Sequence, residues 1–418
     1  MVWTHTRILV VAMCFLLNML DGTDLLIMSF IAPVLAGQWA VSPQKLGVLF
    51  SASLAGMAVG CLLIAPLADR YGRRSLILGA LAVTATAMIV SAFTRDVAEL
   101  MLARLFVGIG VGTIGVGMTT MAAEYAPERF ANFAVGFVQA GWPLGSIVTA
   151  FAAARILPVH TWQSMLLGIG CLSTALLVLV FLLLPESLSF LTLRRPPQAL
   201  PRINAVRRRL DLDALEDLPP PLPEPSAIPV AQLFEAGREL PSVLLWSAVT
   251  LGYFVLYFVI SWIPKLAAQS GLPLAQAIYA GATYNLGAFI GTAAIGWIAI
   301  RYRLNRVIAG YLAAAAVAML IFGAVAMPVP WTLFVALCVG ITVQGGFNGF
   351  WALAARLYPA EIRSTGVGWA LGVGRIGAVL GPVVGGMLVG AHVPTALLFA
   401  SFALPLVAAA AITMRITP

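Results

Sequence analysis

Twelve apolar runs, most of about 20 residues, leave this chain few folds to choose from. A helix of that length crosses the roughly 30 Å hydrocarbon core of a bilayer, and helices satisfy their own main-chain polar groups there. The runs lie at roughly 8–33, 45–67, 76–94, 98–122, 131–154, 163–184, 241–264, 275–299, 307–327, 332–355, 364–389 and 395–414. The expected fold class is therefore all-α integral membrane, with twelve transmembrane helices. Composition agrees: 61% of residues are hydrophobic and 10% are charged, against about 25% charged in soluble domains. A net charge of +8 would suit nucleic acid in a soluble domain. Here arginines at span ends account for it, and no nucleic-acid partner is expected.

Few chemistries other than transport fit. Cys14, Cys61, Cys171 and Cys338 are scattered through apolar segments, and none forms a Cys-x-x-Cys pair. They read as core thiols rather than a metal or redox site. His5, His160 and His392 are far apart and fall at segment ends. No nucleophile elbow, phosphate loop or metal-ligand spacing is present, so neither an enzyme nor a cofactor is expected. The first apolar run continues into a full span without a small-residue cleavage site, so no cleaved signal peptide is expected.

Six spans precede a polar segment and six follow it. The expected domains are a six-helix bundle over 1–185, a largely irregular cytoplasmic linker over 186–240 and a second six-helix bundle over 241–418. The linker holds "RRPPQALPRINAVRRRLDLDALEDLPPPLPEPS", whose prolines and mixed charges cannot support a core. Within it, "NAVRRRLDLDALEDL" suits a short amphipathic surface helix. With the N-terminus inside, the inner loops and linker hold most arginines, while the outer loops hold Lys45, Arg95, Arg155 and Lys265. That bias predicts cytoplasmic termini and residence in the inner (plasma) membrane, where the chain is expected to act as a monomer.

The two halves align at an offset of about 232 residues. "MSFIAPVL" in span 1 meets "ISWIPKLA" in span 7, "ADRYGRR" meets "AIRYRLNR", and Gly108 meets Gly340. "AEYAPERFANFAVGF" meets "ARLYPAEIRSTGVGW", with Pro127 on Pro359. An even number of spans per half makes the repeats parallel, related by an axis along the membrane normal, which is the layout of major facilitators. Two similar bundles can rock about a site held near the bilayer midplane; a receptor or an enzyme has no need of that duplication.

Four stretches carry charges that a membrane protein must justify. In "APLADRYGRR", 65–74, Gly72 permits a sharp turn, Asp69 can face the positive end of a helix, and Arg70, Arg73 and Arg74 can pair with acids such as Glu124. In "RLFVGIGVGTIGVG", 104–117, glycines permit close approach of helices, and Arg104 lies about two turns inside the outer end. In "GVGWALGVGRIGAVLGP", 366–382, Arg375 sits near mid-depth, where a charge costs about 2.5–3.5 kcal/mol on insertion scales. Its planar fork fits a carboxylate bidentately. The fourth stretch is "NMLDGTDLLIMSF", 18–30. The run before it, 8–20, makes only about 20 Å of helix and cannot cross alone, so the span must continue through "DGTD". Asp21 and Asp24, three apart, then share one helix face near mid-membrane. Two carboxylates this close in a low-dielectric medium resist ionising together, as a proton-coupling site requires.

Together these stretches resemble the aromatic acid:proton symporter family of the major facilitator superfamily. The resemblance covers nearly the whole chain outside the linker. "DGTD" and "YPAEIRSTGVGWALGVGRIGAVLGP" are its specific pieces, and "ADRYGRR" marks the superfamily. It implies functional roles for Asp21, Asp24, Asp69, Arg104, Glu124, Arg363 and Arg375, and a substrate that is an aromatic carboxylate such as a hydroxybenzoate, taken up with protons. The chain departs from the family after span 8, where Ile300, Arg301 and Asn305 stand in place of an Asp-Arg pair followed by a basic residue or His.

The expected mechanism is inward symport by alternating access. Asp21, Asp24 and Arg104 handle the proton, and Arg375 or Arg104 pairs with the substrate carboxylate. Tyr257, Tyr284, Phe347, Trp351 and Trp369 are candidates for stacking on its ring, and Gln139, Asn285 and Asn348 for hydrogen bonds. Asp69, Arg70, Arg73, Arg74, Glu124 and Arg363 form a cytoplasmic gate. A drug or metabolite proton antiporter, and a substrate sensor without flux, are the alternatives on the same scaffold.

Overall fold

The computed structural model describes residues 3–218, 230–235, 237–269, 272–325, 327–359 and 362–416. Among the described residues there is no strand, and 12 helices are long and apolar enough to cross a bilayer. Spans 1 to 6 are His5–Gln38, Pro43–Leu67, Arg73–Ser91, Val97–Tyr125, Phe133–Ile156 and Trp162–Leu183. Spans 7 to 12 are Glu239–Gln269, Leu274–Arg301, Leu304–Ala324, Val329–Leu357, Thr365–Gly390 and Thr395–Arg415. Each overlies one apolar run of the sequence, and the helices mostly extend past the runs because polar residues at the ends continue them. Lys265 is a correction of this kind. Expected in an outer loop, it lies inside span 7 and is only 7% exposed, because the helix continues through Pro264 to Gln269.

Contacts divide the chain into two compact units. The first comprises Met1–Leu25, Ala55–Gly145 and Gln163–Ser226; the second comprises Leu26–Leu54, Ser146–Trp162 and Ala227–Pro418. The boundaries cut through spans 1 and 2 and the middle of span 5.

Within the first unit, span 2 lies against span 4 so closely that only glycine fits. A Cβ on Gly56 or Gly60 would stand 2.1 Å from the carbonyl oxygen of Leu105 or Ile109. The second unit repeats the arrangement at the offset of the sequence repeat: a Cβ on Gly287 or Gly291 in span 8 would stand 2.1 Å from the carbonyl of Leu337 or Ile341 in span 10. Such close backbone approach is how helices associate where lipid removes the hydrophobic drive between them. The repeat is thus visible as a repeated contact, not only as matching letters. Span 12 closes against span 7 through stacked Phe258 and Phe402, whose ring centroids are 3.5 Å apart.

Prolines interrupt spans 1, 7, 11 and 12. Pro264 has no N–H, so the carbonyl of Ile260 loses its helical donor. The hydroxyl of Ser29 reaches that oxygen at 2.9 Å and lies 3.1 Å from the Ser261 carbonyl. In span 11 Pro382 leaves the Ala378 carbonyl without its helical donor, and Ser51 donates to the next carbonyl, that of Val379, at 2.6 Å. Freed carbonyls in hydrocarbon need such replacements. The second half of span 1 and the first half of span 2 thus donate to carbonyls beside the prolines of spans 7 and 11. Close to the same seam, a Cβ on Gly47 would meet the Pro382 carbonyl at 2.5 Å.

The linker carries two helices, Leu188–Arg194 and Ala199–Arg209. The second begins earlier than the expected helix over 204–218 and stops at Arg209. It buries Ala199, Ile203 and Val206 along one face. It ends because Asn204 clamps the returning chain: its amide donates to the Leu215 carbonyl at 2.9 Å and its oxygen accepts from the Leu215 N–H at 2.8 Å.

Candidate functional site

In the first unit the helix of span 1 runs unbroken through "DGTD". Asp24 is 1% exposed, and neither of its carboxylate oxygens has a hydrogen-bond donor among the described residues. Arg104, 0% exposed, comes from span 4 and is close enough to act on Asp24 electrostatically. Its Nη2 donates to the main-chain carbonyl of Asp24 and its Nη1 meets the Met88 sulfur at 3.4 Å. The guanidinium is therefore held by span 1 and by span 3, and Arg104 does not snorkel. Asp21 lies within electrostatic range of Asp24, as the i, i+3 spacing predicts.

One residue on this face escaped the sequence reading. Asn18, three before Asp21, donates to the Val138 carbonyl at 2.6 Å and to the Gln139 side-chain oxygen at 3.2 Å. Span 5 breaks at Ala140, with Pro143 just beyond, so Asn18 caps a helix end. Gln139 is exposed and is tied to span 1 by this bond. Asn18 could have been found by extending the Asp21–Asp24 face backward by one turn.

In the second unit Arg375 lies over the ring of Tyr253, with the guanidinium carbon 5.9 Å from its centroid. Tyr253 stacks on Tyr257 at 5.7 Å and meets Phe347 at 4.3 Å. A cation-bearing fork and three aromatic rings, drawn from spans 7, 10 and 11, thus form one cluster. Such a cluster can hold a planar anion: the fork pairs with a carboxylate while the rings flank its π-face. Tyr253 was missed, although it stands one helical turn from Tyr257 on the same face. Tyr284 and Asn285 follow on span 8, both buried, with Tyr284 in electrostatic range of Tyr257. Asn348 is engaged elsewhere: its amide donates to Thr292 at 2.6 Å and its oxygen accepts from Gln344 at 3.4 Å. Trp351 is exposed. Trp369 stacks on Trp246 at 6.1 Å.

The gate residues form a third group, within the first unit. Arg73 pairs with Glu124. Glu124 also accepts from the Ser187 hydroxyl at 2.7 Å and the Ser189 N–H at 2.7 Å. Glu186 accepts from the Arg74 N–H at 2.9 Å, and its own carbonyl accepts from the Tyr125 hydroxyl at 2.6 Å. Gly72 takes φ +96°, a conformation that L side chains rarely adopt, and a Cβ there would also strike Glu186. The side chain of Arg74 turns to the Phe181 carbonyl at 2.6 Å, and Arg70 lies over Tyr71. Glu186, Ser187 and Ser189 were absent from the sequence expectation because "PESLS" reads as the start of a linker. The side chains of Asp69 and Arg363 lie outside the described residues.

Three comparisons bear on this arrangement. The chain matches the sequence profile of the Major Facilitator Superfamily over residues 13–382, with a second match over 245–418. It is 34% identical over 405 residues to the gallate transporter of Pseudomonas putida, covering 96% of this chain and 90% of that one. It is 33% identical over 410 residues to the 4-hydroxybenzoate transporter PcaK of Acinetobacter baylyi, covering 96% and 89%. Among solved structures, the xylose transporter XylE from E. coli in a partially occluded inward open conformation superposes with a TM-score of 0.75 at 16% identity, covering 99% of this chain and 98% of that one.

Proposed function

The chain belongs to the Major Facilitator Superfamily, and from that membership we propose that it imports an aromatic carboxylate together with protons across the bacterial plasma membrane. It is a multi-pass membrane transporter and not an enzyme. The observation that carries the substrate reading is the cluster of Arg375 on Tyr253, with Tyr257 and Phe347 beside it. Relatives named for gallate and for 4-hydroxybenzoate transport support the same class.

The proton reading rests on Asp24 and Arg104. A carboxylate anion out of water is costly unless donors surround it, and binding a proton removes that cost. In the cycle we infer, a proton arrives at the Asp21–Asp24 face from outside, the anion enters against Arg375, and both leave inside. Asp24 belongs to the first unit and Ser29, on the same helix, to the second. The network of Arg73, Glu124 and Glu186 acts as a gate element at the inner face, and both termini lie in the cytoplasm. One copy of the chain suffices for the cycle.

Uptake of labelled 4-hydroxybenzoate and gallate into proteoliposomes tests this. The expected result is accumulation when the outside is acidified, with alkalinisation of the outer medium on substrate addition. Substrate-driven acidification outside would establish export instead, and binding without flux would establish a sensor.

A further inference from the structure

Span 8 carries two buried polar atoms that no described residue pairs with. The hydroxyl of Tyr284, on a side chain 1% exposed, has no hydrogen-bond partner among the described residues. The side-chain oxygen of Asn285, 0% exposed, has none either, while its amide donates to the Gly281 carbonyl of its own helix at 2.9 Å. That bond fixes which end of the Asn285 amide is left open: the end that accepts. The tyrosine hydroxyl can both donate and accept. Buried polar atoms are nearly always paired, so two adjacent exceptions need an explanation, and a ligand group is one.

The surroundings point to the ligand. Tyr284 lies in electrostatic range of Tyr257, which stacks on Tyr253, over which Arg375 sits. The backbone at Tyr284 is held tightly, since a Cβ on Gly340 of span 10 would stand 2.0 Å from its carbonyl oxygen. One turn outward, Gly281 faces Phe30 and Pro264 at distances that exclude a larger residue. Span 8 is thus held tightly at the turn that carries the two open polar atoms.

We propose that Tyr284 and Asn285 form a hydroxyl-reading subsite that makes the transporter select ring-hydroxylated aromatic carboxylates over their unsubstituted counterparts. This rests on the reading of Arg375 as the carboxylate partner. A phenolic hydroxyl can donate to the Asn285 oxygen or accept from the Tyr284 hydroxyl. An unsubstituted ring offers neither atom a partner, and sites of this kind reject the analogue that lacks the hydroxyl.

The test is equilibrium binding of benzoate and of 2-, 3- and 4-hydroxybenzoate to the full-length protein in lipid nanodiscs. Wild type, Tyr284→Phe and Asn285→Ala are compared, with a thermal melt as the check on folding. Wild type is expected to bind at least one of the hydroxybenzoates about tenfold or more tightly than benzoate. Tyr284→Phe, which keeps the ring, is expected to lose most of that preference while its benzoate affinity stays within about twofold; Asn285→Ala should do the same. Equal affinity of wild type for all four acids, or an equal loss for benzoate and hydroxybenzoate in the variants, would overturn the subsite and leave the proposed function standing. No binding of any aromatic carboxylate by folded wild type would overturn the proposed function, and this subsite with it. Should the variants fail to melt cooperatively, the wild-type ratio alone decides.

Discussion

Asp24 has a main-chain carbonyl that accepts from Arg104 and a carboxylate that accepts from nothing described. The asymmetry matters, because an arginine bonded to the carboxylate itself would hold it as a permanent anion. An acid that works as a proton carrier needs a cation near enough to feel its charge and not so near that it never lets the charge go. A pH difference of one unit is worth about 1.36 kcal/mol per proton, hence about tenfold in accumulation. Asp24→Asn is therefore expected to remove about tenfold of accumulation per pH unit while leaving substrate exchange across a vesicle membrane in place. Uptake measured at several imposed gradients checks this, and unchanged gradient dependence would refute it. The two aspartates were legible from spacing and span length alone. Tyr253 and Glu186 were not: a tyrosine in an apolar run reads as packing, and a Glu beside a proline reads as loop. Only the fold shows that one faces Arg375 and the other closes around Gly72.

At the level of helices, apolar runs and proline positions were plain in the sequence, but who repairs the prolines was not. Ser29 and Ile260 are 231 residues apart, and nothing local to either announces the bond. The repeat indicated that spans 1 and 7 correspond; it did not indicate that they touch. Ser29→Ala leaves the Ile260 carbonyl in span 7 without a donor, at a cost of about 1–3 kcal/mol. The expected outcome is a lower melting temperature in detergent, with partial recovery in Ser29→Thr, which keeps the hydroxyl. A melt unchanged in Ser29→Ala would show that the proline-freed carbonyl finds another donor. The linker gave the opposite lesson. Its local pattern announces a short amphipathic helix over 204–218, and the structure has one with a buried stripe over Ala199–Arg209, ended by a side-chain clamp that pattern reading does not detect.

For the molecule as a whole, six spans on either side of a linker suggest two halves that each fold alone. The contact units are drawn differently: the second takes in Leu26–Leu54 and Ser146–Trp162 from the first half. A fragment beginning at residue 227 therefore lacks the hydroxyls of Ser29 and Ser51 and the glycine seam at Gly47. Expressed alone, it is expected to be degraded in the membrane, and co-expression with residues 1–226 is expected to restore both its level and uptake. Stable accumulation of the isolated fragment would show that the second unit does not need those segments.

The bond from Ser51 to the Val379 carbonyl joins residues 328 apart in the chain. At about 5–20 residues per second of synthesis, the hydroxyl waits roughly 16–66 s for its acceptor to be made. During that interval the Ser51 hydroxyl must be satisfied without the carbonyl it finally meets. The chain must either hold this residue at a provisional neighbour or keep it near the insertion machinery. Either way, the pace of translation through the second half becomes a factor in whether the first half ends up correctly placed.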